Sequence, residues 1–354
     1  MDNDVRPRRW TESIADGHGS GFDKKEIRPY VETTSQASQP SKWKGPTYYG
    51  RSQLKAAPFN NYVVGGYIFL AGLSGGGAIV STLAEAVRGE RAYGVGRRGR
   101  YVATLAPTIG ALLLIWDLHT PQRFYNMWRI AKGTSPMSIG TWILTAFIPS
   151  SMLGAGAQVL ADVLPGAGWL KPVARWGSAP SAITGAGLSV YTASLLAATS
   201  TPYWAAAPRS LAVRFGASSL VSGSASLVIG ERDPATRDAL NLILGGALAV
   251  ELAATIAHHH EVKKKGVAEV LKTRWGRIER FGVEGLGILL PIGLHAASHL
   301  VSDRKGKAAL SDLAAIFALA GSATLRVAAL AVGEESARRP DISFRFSQPE
   351  NLPG

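Results

Sequence analysis

Residues 133–161 read GTSPMSIGTWILTAFIPSSMLGAGAQVLA and contain no Asp, Glu, Lys or Arg. A helix rises 1.5 Å per residue, so an uncharged run of about 18 residues or more can cross a hydrocarbon layer about 30 Å thick. Residues 59–84, 101–116 and 176–208 lack the same four residue types. Extending this reading along the chain predicts helices over 59–85, 101–117, 137–161, 179–199, 208–229, 239–257, 283–301 and 310–332. The expectation is an all-α integral membrane protein, an eight-helix bundle over 59–333. A polar tail over 1–58, extended or bound to a partner, precedes it, and a polar tail over 334–354 follows.

Composition supports that class. The 40 glycines suit membrane helices that pack through small residues. The net charge of +13 would suggest nucleic acid in a water-soluble protein, but the basic residues stand between apolar runs. There they set topology and meet lipid head groups, so lipid is an expected partner and nucleic acid is not. With no cysteine in the sequence, disulfides and thiolate-held iron–sulfur clusters are excluded. The first apolar run starts only at Phe59, too far in for an N-terminal leader.

Between the second and third helices stands Asp117-Leu-His-Thr-Pro-Gln-Arg-Phe-Tyr-Asn-Met-Trp128, a polar and aromatic stretch at the membrane surface. An even number of crossings would put it on the same side as both termini, with the 200–208 and 258–282 loops. With no leader to export the tail, that side is expected to be cytoplasmic.

The pattern Asp117-Leu-x-x-Pro121-x-Arg123-Phe124-x-x-Met127, followed by Ser135-Pro136-Met137-Ser138-x-Gly140-x-Trp142, resembles the signature of the NrfD / polysulfide reductase membrane-subunit family. Tyr191-Thr-x-x-Leu195-Leu196 and Pro202-x-Trp204 match further, and the resemblance spans about Phe59 to Val332. It implies a quinone-binding anchor in a prokaryotic inner membrane. An iron–sulfur, ferredoxin-like subunit would exchange electrons with menaquinone or ubiquinone held in this protein, and a molybdopterin-type catalytic subunit would lie beyond it. Iron–sulfur clusters and molybdopterin would belong to those partners. One departure is His119, where the family often carries Gly.

Quinone chemistry needs a hydrogen-bond partner at each carbonyl and a proton donor. Asn60, Asn61, His119 and Tyr191 are the candidates, although either Asn could instead cap a helix. Asp117 and Arg123 are expected to form an ion pair holding their loop. With Asn126 they make the docking face for a partner. Charges inside a membrane need partners or functions: Glu251 and Arg326 are expected to pair or to form a proton path, joined by Glu284 and opening at Glu85. His295 and His299 share one helix face and differ in depth from His258–His260, read as an interfacial cluster, so no haem and no metal are expected. An ion-translocating transporter without quinone chemistry is the alternative function, and a structural anchor without a quinone site is a third.

Overall fold

The structure is a computed structural model that describes residues 52–118 and 120–351. Every element among them is helical. Six stretches are long and apolar enough to cross a membrane: Asn61–Asp117, Pro136–Val163, Pro208–Val228, Pro234–Lys264, Arg274–Ser298 and Arg304–Arg338. The expected eight spans therefore appear as six. The first stretch is two helices, α1 (Asn61–Arg88) and α2 (Tyr93–Asp117). The backbone reverses between them at Gly89, whose φ of 58° is a left-handed conformation that side chains rarely adopt. The 19-residue helix α5 (Ala179–Ala197) is not among the six.

The remaining elements are α3 (Pro136–Val163), the short α4 (Leu170–Gly177), the single turn α6 (Pro202–Ala205), α7 (Pro208–Val228) and α8 (Pro234–Lys264). Then come α9 (Arg274–Ile278), a π-helix over Glu279–Leu289, α10 (Leu290–Ser298), α11 (Arg304–Arg338) and α12 (Pro340–Phe346). Helix starts follow local chemistry. Asn60 accepts from the N–H groups of Tyr62 and Val63, Ser135 accepts from Ser138 ahead of Pro136, and Asp233 accepts from Thr236.

Packing is inverted relative to a water-soluble protein. The serines of α7, Ser218, Ser219, Ser222 and Ser224, are fully buried, whereas Leu112, Ile183 and Leu242 point outward. Lipid is as apolar as leucine, so association rests on close contact and internal hydrogen bonds. The tightest crossing joins α1 to α7: a Cβ on Gly76 would overlap the carbonyl of Ser219. Ser218 of α7 meets Ser322 of α11 at 2.7 Å.

Four helices differ most from expectation. The second helix starts at Tyr93 rather than at 101, because the basic residues read as a loop find acids. Arg97 bonds Asp162, Arg98 bonds Glu231, and Arg100 bonds Glu85. The sixth helix runs on to Lys264 and carries His258–His260 with it. The seventh begins at Arg274 and is π-helical over eleven residues. The eighth extends to Arg338, and α12 then folds back so that Ile342 and Phe346 join the core around Trp204.

Candidate functional site

The loop that bears the sequence pattern is a 3-10 helix over Pro121–Trp128 between α2 and α3. Phe124 packs edge-on against Trp128, and the Trp128 indole donates to Thr145 at 2.8 Å. Ser138 ties the loop end to α3 by accepting from Lys132 N and donating to Ile130 O, both at 2.9 Å. Among the described residues Asp117 and Arg123 form no ion pair with each other, which corrects the expected loop clamp. Arg123 is exposed, and Asn126 is tied to Arg129 at 3.3 Å. Backbone bonding holds the loop in place of the clamp: Arg123 N–H donates to Thr120 O, closing the first turn.

Of the four expected quinone ligands, Tyr191 packs against α3. Its ring lies so close to Gly140 of α3 that a Cβ there would overlap it. Tyr67 of α1 passes against Gly110 of α2, where an added Cβ would lie 3.5 Å from the Tyr67 carbonyl. Tyr67 went unnoticed in the sequence because an isolated Tyr in an apolar run carries no pattern. His119, two residues beyond Asp117, is outside the described residues. Asn60 is the exposed cap of α1. Asn61 turns towards α11 and donates to Glu334 Oε2 at 2.8 Å, leaving its own Oδ1 buried without a partner.

A second polar group sits on the α7, α8 and π-helix side. Arg214 Nη1 meets Glu279 Oε1 at 2.5 Å, and the Tyr203 hydroxyl donates to both oxygens of Glu279 at 2.6 and 2.8 Å. Arg214 and Glu279 are wholly buried. Burial first, and then the Glu279 carboxylate, raises the Tyr203 phenol well above its ordinary range. His259 lies between two acids, with Nε2 3.5 Å from Glu279 and Nδ1 3.6 Å from Glu284. The π-helix makes this possible. Residues five apart on an α-helix diverge by about 140°, whereas a π turn brings them back to one face. His258 is fully buried, 3.4 Å from Ser210 and edge-on to Tyr203. Within the triplet His258 is a core residue, His259 is half-buried and His260 is exposed.

An arginine six residues inside the fifth predicted helix was a readable signal that sequence reasoning passed over. Glu279 was not readable, because it stood in a segment that looked basic and interfacial.

Glu251 and Arg326 are both buried and feel one another electrostatically, yet they form no ion pair among the described residues. Arg326 instead donates through Nη2 to Phe215 O and Ser219 Oγ, each at 3.0 Å, and lies over the Phe215 ring. This corrects the expected direct pair: α7 offers a carbonyl and a hydroxyl nearer than α8 offers its acid. Four guanidinium nitrogens (Arg214 Nε and Nη2, Arg326 Nε and Nη1) have no protein acceptor among the described residues. At the opposite end of the bundle Glu85 is held at both oxygens by Arg100, at 2.6 and 3.0 Å, and Arg100 also donates to Gln158. His295 of α10 and His299, just past its end, lie edge-on with ring centroids 5.0 Å apart.

Similarity to known proteins follows the same pattern. Residues 52–335 match the family model described as Polysulphide reductase, NrfD. The C subunit of the polysulfide reductase of Wolinella succinogenes is 28% identical over 296 residues, 76% of this protein and 92% of that one. No solved structure matches. A match over most of the sequence, on a bundle of apolar helices, has one consequence: this is a multi-pass membrane protein that belongs to the NrfD polysulphide reductase family.

Proposed function

We propose that the protein is the quinone-reactive membrane subunit of a multi-subunit oxidoreductase in a prokaryotic cytoplasmic membrane. Its bundle would cross eight times, with the α1–α2 hairpin counted as two passes and α5 as another. Both termini would then share the side of the Pro121–Trp128 loop, taken as cytoplasmic. The observation that carries this reading is the contact of the Tyr191 ring with Gly140 of α3, a residue of the family pattern itself. The name of the Wolinella relative, one lettered part of a reductase, supports membership in a complex.

A quinone head is a flat ring with a carbonyl at each end, and the residues present fit it. Tyr67 and Tyr191 bring hydroxyl donors from different helices, and the missing side chain of Gly140 lets the Tyr191 ring lie against α3. A bound quinone, menaquinone or ubiquinone, would supply two-electron, two-proton chemistry. The protein's own part is to hold the head by these hydroxyls, to exclude water with the aromatic loop, and to keep a proton near the site. His119, two residues beyond Asp117 in sequence, is the imidazole candidate for that proton.

Proton supply falls to the second polar group. His259 Nδ1 faces Glu284 at 3.6 Å. Glu251 and Arg326 continue the polar file into the bundle, and water at the open guanidinium nitrogens would complete it. Glu85, bound by Arg100, closes the far end. Electrons would come from an iron–sulfur, ferredoxin-like subunit docked on the loop that includes Arg123 and Asn126, and from a molybdopterin-type subunit beyond it. The protein needs no haem for that role.

The test is purification of the full-length protein from its native membrane in mild detergent, with iron–sulfur protein, molybdenum and extractable quinone assayed together. All three are expected. Tyr191→Phe should lower quinone retention by about three- to tenfold, the loss of one hydrogen bond. A protein that emerges alone and free of quinone would overturn the redox reading and favour ion transport. If Glu251→Gln left assembly and quinone turnover intact, the proton file would be wrong while the anchor reading survived.

A further inference from the structure

At the end of the bundle away from the Pro121–Trp128 loop, a cavity of about 110 Å³ opens between the Gly89 turn and α4. Its wall holds two cations on α4. Arg175 is anchored by donating Nη2 to the carbonyl of Glu85 at 2.8 Å, and a guanidinium has five N–H donors, so others remain for a ligand. Lys171 is steadied with its ammonium 5.2 Å from the Tyr93 ring centroid. Across the opening stands Glu90, exposed and in no ion pair among the described residues. The other acid of the wall, Glu85, is already neutralised by Arg100. The cavity thus offers two cationic groups and one separate free carboxylate.

Trp176 of the wall is 75% exposed, and Trp169 and Val87, close in sequence to wall residues, are each at least 70% exposed. Tryptophan in that position belongs at the level of lipid head groups. α4 joins two helices of the bundle, α3 and α5. A ligand that satisfies all three charges combines an anionic group for Lys171 and Arg175 with a cationic group for Glu90.

We propose that this cavity is a headgroup site for a zwitterionic aminophospholipid of the phosphatidylethanolamine type. The phosphodiester lies against Lys171 and Arg175, and the ammonium lies against Glu90. Charge decides between lipids: a purely anionic head such as phosphatidylglycerol satisfies the two cations and meets Glu90 with no partner to offer. The site does not depend on the quinone reading, because it occupies the opposite end of the bundle.

The experiment is native mass spectrometry of the full-length protein in mild detergent, with phosphatidylethanolamine or phosphatidylglycerol added at equal concentration. The wild type should retain one phosphatidylethanolamine and prefer it. Lys171→Gln should lower that retention by about tenfold, the value of one charge-assisted hydrogen bond. Glu90→Gln should leave total lipid bound and move the preference towards phosphatidylglycerol. These two positions carry the test because Arg175 also holds the Glu85 carbonyl, so that its loss would disturb the fold. Equal retention of both lipids by the wild type would overturn the proposal, as would retention unchanged in Lys171→Gln. Displacement of the lipid by millimolar inorganic phosphate would reassign the cavity to a free anion and overturn the lipid assignment.

Discussion

Arg214 and Glu279 meet at 2.5 Å with neither side chain exposed, one from the first turns of α7 and the other from the first residue of the π-helix. The pair joins the elements that carry Tyr203, His258 and His259 around it. Two charges removed from water are costly unless each finds the other, so the pair locks the π-helix start against α7.

Breaking one side of that pair should therefore cost more than removing both. Glu279→Gln or Arg214→Met should lower the unfolding free energy by about 3–5 kcal/mol, since each leaves a buried charge alone. The double variant Arg214→Met with Glu279→Leu should recover most of the loss. Thermal unfolding in detergent, followed by tryptophan fluorescence, gives the comparison. A double variant as unstable as either single one would show that the charges do not act as a pair.

Tyr203 gives a pH dependence. Its phenol is raised well above the ordinary value of 10.0 by burial and by Glu279. An acid raised in the folded state keeps its proton while the unfolded polypeptide releases one. The stability it contributes is therefore complete below about pH 10 and is lost as pH rises from there towards the folded value. Unfolding temperatures measured from pH 8 to 12 should fall more steeply for the wild type than for Tyr203→Phe. Parallel curves would remove Tyr203 as the cause.

Gly76 and Gly66 make a matched pair of substitutions on one helix. A Cβ on Gly76 would overlap the Ser219 carbonyl of α7, whereas a Cβ on Gly66 would meet nothing. Gly76→Ala should destabilise by about 1–3 kcal/mol, as overpacking does. Gly66→Ala should be neutral or stabilising by up to about 1 kcal/mol, because alanine favours the helix. Size-exclusion profiles after graded heating would separate them, and equal behaviour would contradict the crossing geometry.

Gly140 tests the candidate site without touching a polar group. Gly140→Ala places a methyl on the Tyr191 ring and has to move it. Quinone retention by the purified complex should fall at least as far as for Tyr191→Phe, by about three- to tenfold, while the protein still assembles. Retention at the wild-type level would place the quinone elsewhere.

Much of this protein was legible without coordinates. The uncharged run 133–161 and its counterparts announced membrane helices, because backbone polar groups in lipid have to be satisfied within a helix. Asn60, Ser135 and Asp233 marked helix starts by their own hydrogen-bonding chemistry. The pattern from Asp117 to Trp142 pointed to the family to which the protein belongs. These features are local: a residue type, a spacing or a run length decides them.

Tertiary structure alone decided which charges meet. Glu85 and Arg100 are 15 residues apart, and they pair because Gly89 turns the backbone back on itself. Arg214 and Glu279 are 65 residues apart, and they pair because two helices that are not neighbours in sequence bury them in one space. Arg326 chose a carbonyl and a hydroxyl on α7 over the acid on α8. Glu279 and Glu284 share His259 because the backbone there is wound as a π-helix. A sequence states how many charges lie inside a membrane, but electrostatic energy depends on distance and burial, and only the packed helices supply those.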